Sequence, residues 1–319
     1  MNNDRIQEIL DLMEEARLDY FLISDPQSIA YCTGYYNDPH ERMFVFMISK
    51  HGNHTLFMND LFYLDHDLDV NIVWHKDGQD AIQTIVDEMH FPGRIGIDKN
   101  WASHFLLDLM KKLPDAKYIN ASPCVDLVRM KKDLQEQVLM IESSKINDAV
   151  MEEIIPFIQE GVTEKQLAKK LDELFFNHHS TCYGAIVAFG KNAADPHHEN
   201  DDTLLRKGDC VLIDMGCVYK GYCSDMTRTF FYEGILEEEI KVYEIVKKAN
   251  EAAEAMIKPG VKLSDIDKCA RKVISDEGYG KYFTHRLGHF IGRDVHEYGD
   301  VSSVNEMEVE EGMIFSIEP

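Results

Sequence analysis

The chain has 319 residues, 45% of them hydrophobic and 10% aromatic, which is enough for two domains with proper cores. Its 33 basic residues against 57 acidic ones leave a net charge of −24, the wrong sign for nucleic acid or an anionic membrane surface, because phosphate binding is driven by Lys and Arg. No apolar run approaches the roughly 18 residues that a membrane helix needs, and the polar start MNNDRIQEIL has no signal-peptide core, so a cytoplasmic protein is expected. Seven cysteines, an odd number with no CxxC pair, fit reduced thiols.

Ile6, Ile9, Leu10 and Met13 recur at helical spacing and predict a first helix over residues 4–18. Strand-like runs follow at YFLIS, MFVFMIS, TLFM and NIVW. Then come a helix around DAIQTIVDEM, a strand RIGID and a helix around FLLDLMKKL. Strands alternating with helices predict an α/β layer domain over residues 1–125. Between two of its strands, YYNDPHERM packs Asp38, His40, Glu41 and Arg42 into a dense charged loop. It is either a solvated turn or a segment that reaches an active-site mouth, including that of a partner subunit in a homodimer.

Residues 126–319 have a different texture. A long helix beginning near Asp133 is stopped or kinked by Pro156. Thr163 and Gln166 form a capping-box signature for the next. LEEEIKVYEIVKKANEAAEAMI predicts another, ending at Pro259-Gly260, and Ser264 is expected to cap a last one that ends near Gly278. Strand-like segments lie between and after them, so this half is expected to be α+β, with helices on a mostly antiparallel sheet.

Two apolar runs flank Lys220-Gly221 in GDCVLIDMGCVYKGYCSDMTRTFFYEG, a tight-turn signal. An even-residue loop pairs even positions with odd ones, which puts Asp214 and Asp225 on one face of the hairpin, directly opposite or one diagonal apart. Two carboxylates in otherwise apolar strands need a positive partner. A metal ion supplies it; Arg228 is the alternative. HRLGHFIGRDVHE adds His285, His289 and His296, with Gly288 and Gly292 allowing close backbone approach. AFGKNAADPHHEN adds His197 and His198, which suit substrate binding or proton transfer if they lie near a metal. In MIFSIEP, alternation puts Ile314, Ser316 and Glu318 on one face, and Glu318 reads as a further ligand. A carboxylate-rich site with one imidazole suits a hard divalent ion such as Mn²⁺, with Co²⁺ or Zn²⁺ as alternatives.

These four segments, in this order and spacing, resemble the creatinase-like, or pita-bread, metallopeptidases, and within them the Xaa-Pro dipeptidases (prolidases) of Gram-positive bacteria. The resemblance covers nearly the whole chain. It implies a pita-bread fold, a curved antiparallel sheet covered by helices, behind an N-terminal creatinase-like α/β domain. It also implies two divalent metal ions: Asp214 resembles a ligand to one, Asp225 a bridge between both, His289 the single histidine ligand and Glu318 a glutamate ligand. His197 and His296 resemble histidines that contact substrate, and His285 one farther out. The implied reaction is hydrolysis of the Xaa-Pro bond in dipeptides by a hydroxide that the two ions share. The family has a second bridging glutamate beyond the Glu-Pro motif, so the chain is expected to be one ligand and some strands short, and its activity depends on that. Arg293, three residues before His296, is a candidate for the substrate carboxylate. Three other functions compete: an aminopeptidase on longer Xaa-Pro peptides, a metal-free amidinohydrolase, against which the four retained ligands argue, and an inactive member of the fold.

Overall fold

Ile6, Ile9 and Met13 are buried along one face of the first helix, α1 (Asn3–Glu15), and Asn2 caps it by accepting the Arg5 N–H. The computed structural model describes residues 1–90 and 92–319 and divides into two units, Met1–Arg129 and Met130–Pro319.

In the first unit, β1 (Tyr20–Ile23), β2 (Val45–Ser49), β3 (Thr55–Asn59), β4 (Asn71–His75), β5 (Arg94–Ile97) and β6 (Lys117–Asn120) form one mixed sheet in the order β4-β3-β2-β1-β5-β6. Strands β1, β2 and β3 are buried at every position, because helices cover both faces; such strands read as continuous apolar runs rather than alternations. Phe21, Ile23, Phe46 and Ile48 pack on α1, α2 (Pro26–Thr33) and α5 (Ser122–Met130). Tyr20, Leu22, Val45 and Met47 pack on α3 (Ala81–Glu88) and α4 (Ser103–Lys112). Helices α2 and α5 and strand β6 were not expected. Residues 28–33 of α2 are all buried and carry no periodicity, although Asp25 as cap and Pro26 at the first position were legible start signals.

In the second unit, α6 (Leu134–Ile154) ends as Pro156 enters a 3₁₀ turn, and α7 (Glu164–Asn177) starts on the capping box formed by Thr163 and Gln166. Helices α8 (Glu237–Glu254) and α9 (Leu263–Asp276) follow. Ser264 does not cap α9. The helix starts one residue before it, and its buried hydroxyl donates to Glu306 (3.2 Å) instead. The strands are β7 (Thr181–Cys182), β8 (Ile186–Phe189), β9 (Cys210–Met215), β10 (Cys217–Tyr219), β11 (Tyr222–Cys223), β12 (Met226–Phe231), β13 (Gly288–His289) and β14 (Asp300–Val301). Every pairing among them is antiparallel, in the orders β12-β9-β8 and β11-β10-β7, with β13 beside β14. Val187, Phe189, Val211 and Ile213 bury their side chains against Leu167, Leu171 and Phe175 of α7 and Val150 and Ile154 of α6. The α/β first unit and the helix-covered antiparallel second unit are the architecture expected from sequence.

Candidate metal centre

The hairpin that carries the two aspartates turns at Lys220 and Gly221, both left-handed (φ 49° and 83°), between the paired Tyr219 and Tyr222. That is the twist-matched two-residue turn of a tight hairpin. The chain is interrupted at Gly216 on one side and at Ser224-Asp225 on the other, so β9-β10 and β11-β12 are two halves of one bent ribbon. A Cβ at Gly216 would lie 1.9 Å from the Tyr183 hydroxyl and 2.0 Å from the Ser224 carbonyl oxygen, so the bend requires glycine. Asp214 pairs with Thr227, not Asp225. Asp225 lies two positions earlier on the same face, the diagonal alternative of the predicted register. Thr227 Oγ1 donates to Asp214 Oδ1 at 2.9 Å.

His289 comes to this face on β13, and the chain end runs antiparallel beside it. Ser316 N–H donates to the His289 carbonyl (2.8 Å), His289 N–H to Ser316 Oγ (2.9 Å), and Glu318 N–H to the Leu287 carbonyl (2.8 Å). Gly288 makes this approach possible, since a Cβ there would sit 2.0 Å from the Ser316 carbonyl oxygen. Gly288→Ala should therefore lower stability by about 3 kcal/mol, the upper end of overpacking costs, seen as a lower urea midpoint; an unchanged midpoint would show that the two segments do not meet.

The imidazole is buried, with Nε2 3.3 Å from Asp225 Oδ2 and 3.2 Å from Glu318 Oε1. Its Nδ1 faces the Phe290 carbonyl oxygen at 3.2 Å, an acceptor that holds the proton on Nδ1 and leaves Nε2 as the ligating atom. Burial pushes the Asp214 carboxyl up to about 6, reinforced by the charge of Asp225 and, after it, Glu318. Burial opposes protonation of His289, but its hydrogen bond to Asp225 and the charge of Glu318 outweigh that and raise its pKa. The Tyr183 hydroxyl, which donates to the Ser224 carbonyl (2.7 Å), is also pushed up by burial and by the charges of Asp225 and Asp214. Among the described residues no Lys or Arg pairs with the three acids. Arg228, the alternative partner, is exposed and donates to the Thr227 carbonyl. Asp225 and Glu318 flank one imidazole, and Asp214 feels the charge of both acids, without a cationic side chain; that is the donor set that a divalent ion fits.

The other predicted residues are distributed unevenly. The rings of His296 and His289 stand 4.1 Å apart, edge to face. Burial, with the charges of His289 and Arg286, lowers the His296 pKa. His285 is exposed, packs on Phe283 (5.1 Å) and makes no contact with this group among the described residues. Arg293 lies against the Tyr222 ring (5.4 Å) and the hairpin turn. Asp38, His40, Glu41 and Arg42 belong to the first unit. There Arg42 is held bidentately by Asp77 (3.0 and 2.9 Å) and also pairs with Glu41, and Asp38 Oδ1 accepts the His40 N–H. His197 is exposed, with its N–H on Asp195 Oδ1 (3.0 Å).

Glu164 was not expected at all. Among the described residues, one set of three possible ligands has all its donor atoms within 4.8 Å of one another, and it is Glu164, His198 and Asp201; the predicted four are spaced more widely. The set is closed by hydrogen bonds. Glu164 Oε1 accepts from Phe189 N–H (2.8 Å) and Asn192 Nδ2 (2.9 Å), and Oε2 accepts from His198 Nε2 (2.6 Å) and Asp201 N–H (3.1 Å). A cation would have to displace these donors.

Residues 138–319 match the model of metallopeptidase family M24. The chain belongs to that family. Residues 5–131 match the creatinase/prolidase N-terminal domain. The M24 chain is 33% identical to an uncharacterized peptidase of Staphylococcus aureus, over 99% of this chain and 91% of that one. Among solved structures it resembles a dipeptidase of Pyrococcus horikoshii (34% identity, TM-score 0.91, 99% and 90% covered) and a prolidase of Thermococcus sibiricus (31%, 0.92, 100% and 89%). It is therefore a metal-dependent hydrolase with a pita-bread catalytic unit. Among the described residues it has no helix long and apolar enough to cross a membrane.

Proposed function

We propose that the M24 chain hydrolyses the Xaa-Pro bond of dipeptides at two divalent ions, Mn²⁺ first, held by Asp214, Asp225, His289 and Glu318. The observation that carries this is His289. Its Nδ1 is committed to a backbone carbonyl, and its Nε2 stands between Asp225 and Glu318. The prolidase and dipeptidase among its relatives support the substrate class. Ions bound there would lower the pKa of a water and polarise the scissile carbonyl.

The chain's own groups supply the rest. His296, with its lowered pKa, is uncharged near neutral pH and can hold a proton next to the reacting group. His197, exposed and with its ring unbonded among the described residues, can meet the substrate from the loop before β9. The dipeptide's carboxylate needs a cation. Arg293 is one candidate, and Arg286, whose charge bears on His296, is a second. With Mn²⁺, Leu-Pro should be cleaved at least about tenfold faster than Leu-Pro-Gly-Gly, a difference of the size one substrate group can command. The opposite preference would make the protein an aminopeptidase, and cleavage of neither with Mn²⁺, Co²⁺ or Zn²⁺ would refute Xaa-Pro hydrolysis.

A further inference from the structure

The loop of residues 190–201 leaves β8 at Phe189 and ends beside the start of α7, where Leu204 bridges Thr163 and the Thr203 carbonyl accepts from Glu164 N–H. Both its ends and its interior converge on one carboxylate. Glu164, the first residue of α7, is 0% exposed, a costly place for a charge unless its oxygens are satisfied. Phe189 and Asp201 offer their backbone N–H groups from the two ends of the loop, and Asn192 and His198 their side chains from within it. Thr203 N–H on Asp201 Oδ1 (2.6 Å) continues the clamp. The His198 side chain is turned inward, 12% exposed. His197, its neighbour in the chain, is turned outward.

We propose that Glu164 is a positioning residue for His197: by clamping the loop through His198 it fixes where the His197 ring meets the substrate. The catalytic consequence rests on the dipeptidase reading above, whereas the clamp rests on the contacts alone. A glutamine at 164 keeps one acceptor oxygen but puts an NH₂ where His198 and Asp201 need an acceptor, so it should release that side of the loop and leave Phe189 and Asn192 attached.

The test is a double-mutant cycle on the full chain loaded with Mn²⁺, reading kcat and KM for Leu-Pro. His197→Ala should lower kcat by about a hundredfold, the lower end for a proton-handling group. Glu164→Gln should lower kcat about tenfold or more when His197 is present and less than about twofold in the His197→Ala background, the signature of two groups acting as a unit. Equal losses in both backgrounds would mean that Glu164 serves only the fold, and would overturn the proposal. His198→Ala should behave like Glu164→Gln, with His198→Gln, which keeps a donor, recovering most of the loss. An unaffected His198→Ala would overturn the proposal even if Glu164→Gln fails to fold. Amide exchange separates the two readings. If the unaltered protein does not cleave Leu-Pro, the proposed activity fails, and the clamp is judged by whether Glu164→Gln frees the amide of Asp201 while Val211 and Ile213 keep their protection. Unchanged exchange at Asp201 would overturn it.

Discussion

Replacing His289 by alanine should leave a folded protein that has lost Leu-Pro hydrolysis by about a thousandfold, since Lewis-acid and nucleophile-generating effects are worth several kcal/mol and each tenfold in rate corresponds to about 1.4 kcal/mol. Bound metal should fall in parallel, as counted by elemental analysis of the dialysed protein. His289 offers the one imidazole between Asp225 and Glu318, and alanine leaves those acids without a common neighbour. The segment pairing that brings Glu318 alongside is backbone and Ser316 chemistry, so it survives the change. A variant that keeps its metal and hydrolyses within about tenfold of the original would show that the ions, if bound, sit elsewhere.

The second large effect concerns acidity in the metal-free protein. The Asp214 carboxyl has its pKa raised from 3.8 to about 6. The folded chain thus holds this proton more tightly than the unfolded one, so the contribution to stability is complete below pH 4 and is lost as pH rises through about 6. At about 1.4 kcal/mol per pKa unit the loss is at most about 3 kcal/mol. His289, also raised, acts in the same direction, its contribution fading as pH rises through its folded value. His54 and His296, both lowered by burial, act in the opposite direction, so the informative measurement is the difference between the unaltered protein and Asp214→Asn. Between pH 4 and 8, the metal-free original should lose thermal stability relative to the variant, by several degrees in Tm at roughly 2–4 °C per kcal/mol. Saturating Mn²⁺ should reverse the sign, because the ions bind the deprotonated acids. Parallel curves for the two metal-free proteins would mean that Asp214 is not crowded by its neighbours.

The parts of this site that were legible in sequence are those with local rules behind them. The Lys220-Gly221 turn fixes which faces the hairpin presents, and so puts Asp214 and Asp225 on one side. A tip at Lys220-Gly221 pairs Asp214 with Thr227 and leaves Asp225 on the diagonal, whereas a tip one residue earlier would pair the two acids directly; the bend at Gly216, against Tyr183 33 positions away, has no local signal. The Thr163–Gln166 capping box was equally local and was found. Ser264 misled because a cap must precede the helix, and the chain is already helical at Leu263, which leaves Ser264 inside the first turn with its hydroxyl donating to Glu306. Glu164 was hidden for the converse reason. Written out, it is one more acid in the first turn of a helix, where acids are common; its partners lie 25 to 37 residues farther along the chain. Arg293 stands three residues before His296 in the sequence, but its place against the Tyr222 ring depends on a segment distant in sequence and has no local signal.

The bent ribbon between the two aspartates also constrains how the gene for such a protein can change. One register runs through both halves, from Met215 opposite Met226 to Tyr219 opposite Tyr222. Removing or adding a single codon between Asp214 and Asp225 shifts one strand against the other and turns one carboxylate to the opposite face of the sheet. Changes of two residues preserve the shared face, and the glycine at the bend must stay in step with the tyrosine that packs on it. The eleven-position spacing of these acids is therefore open to lengthening or shortening in steps of two, and the tip of the hairpin is where such insertions would be absorbed.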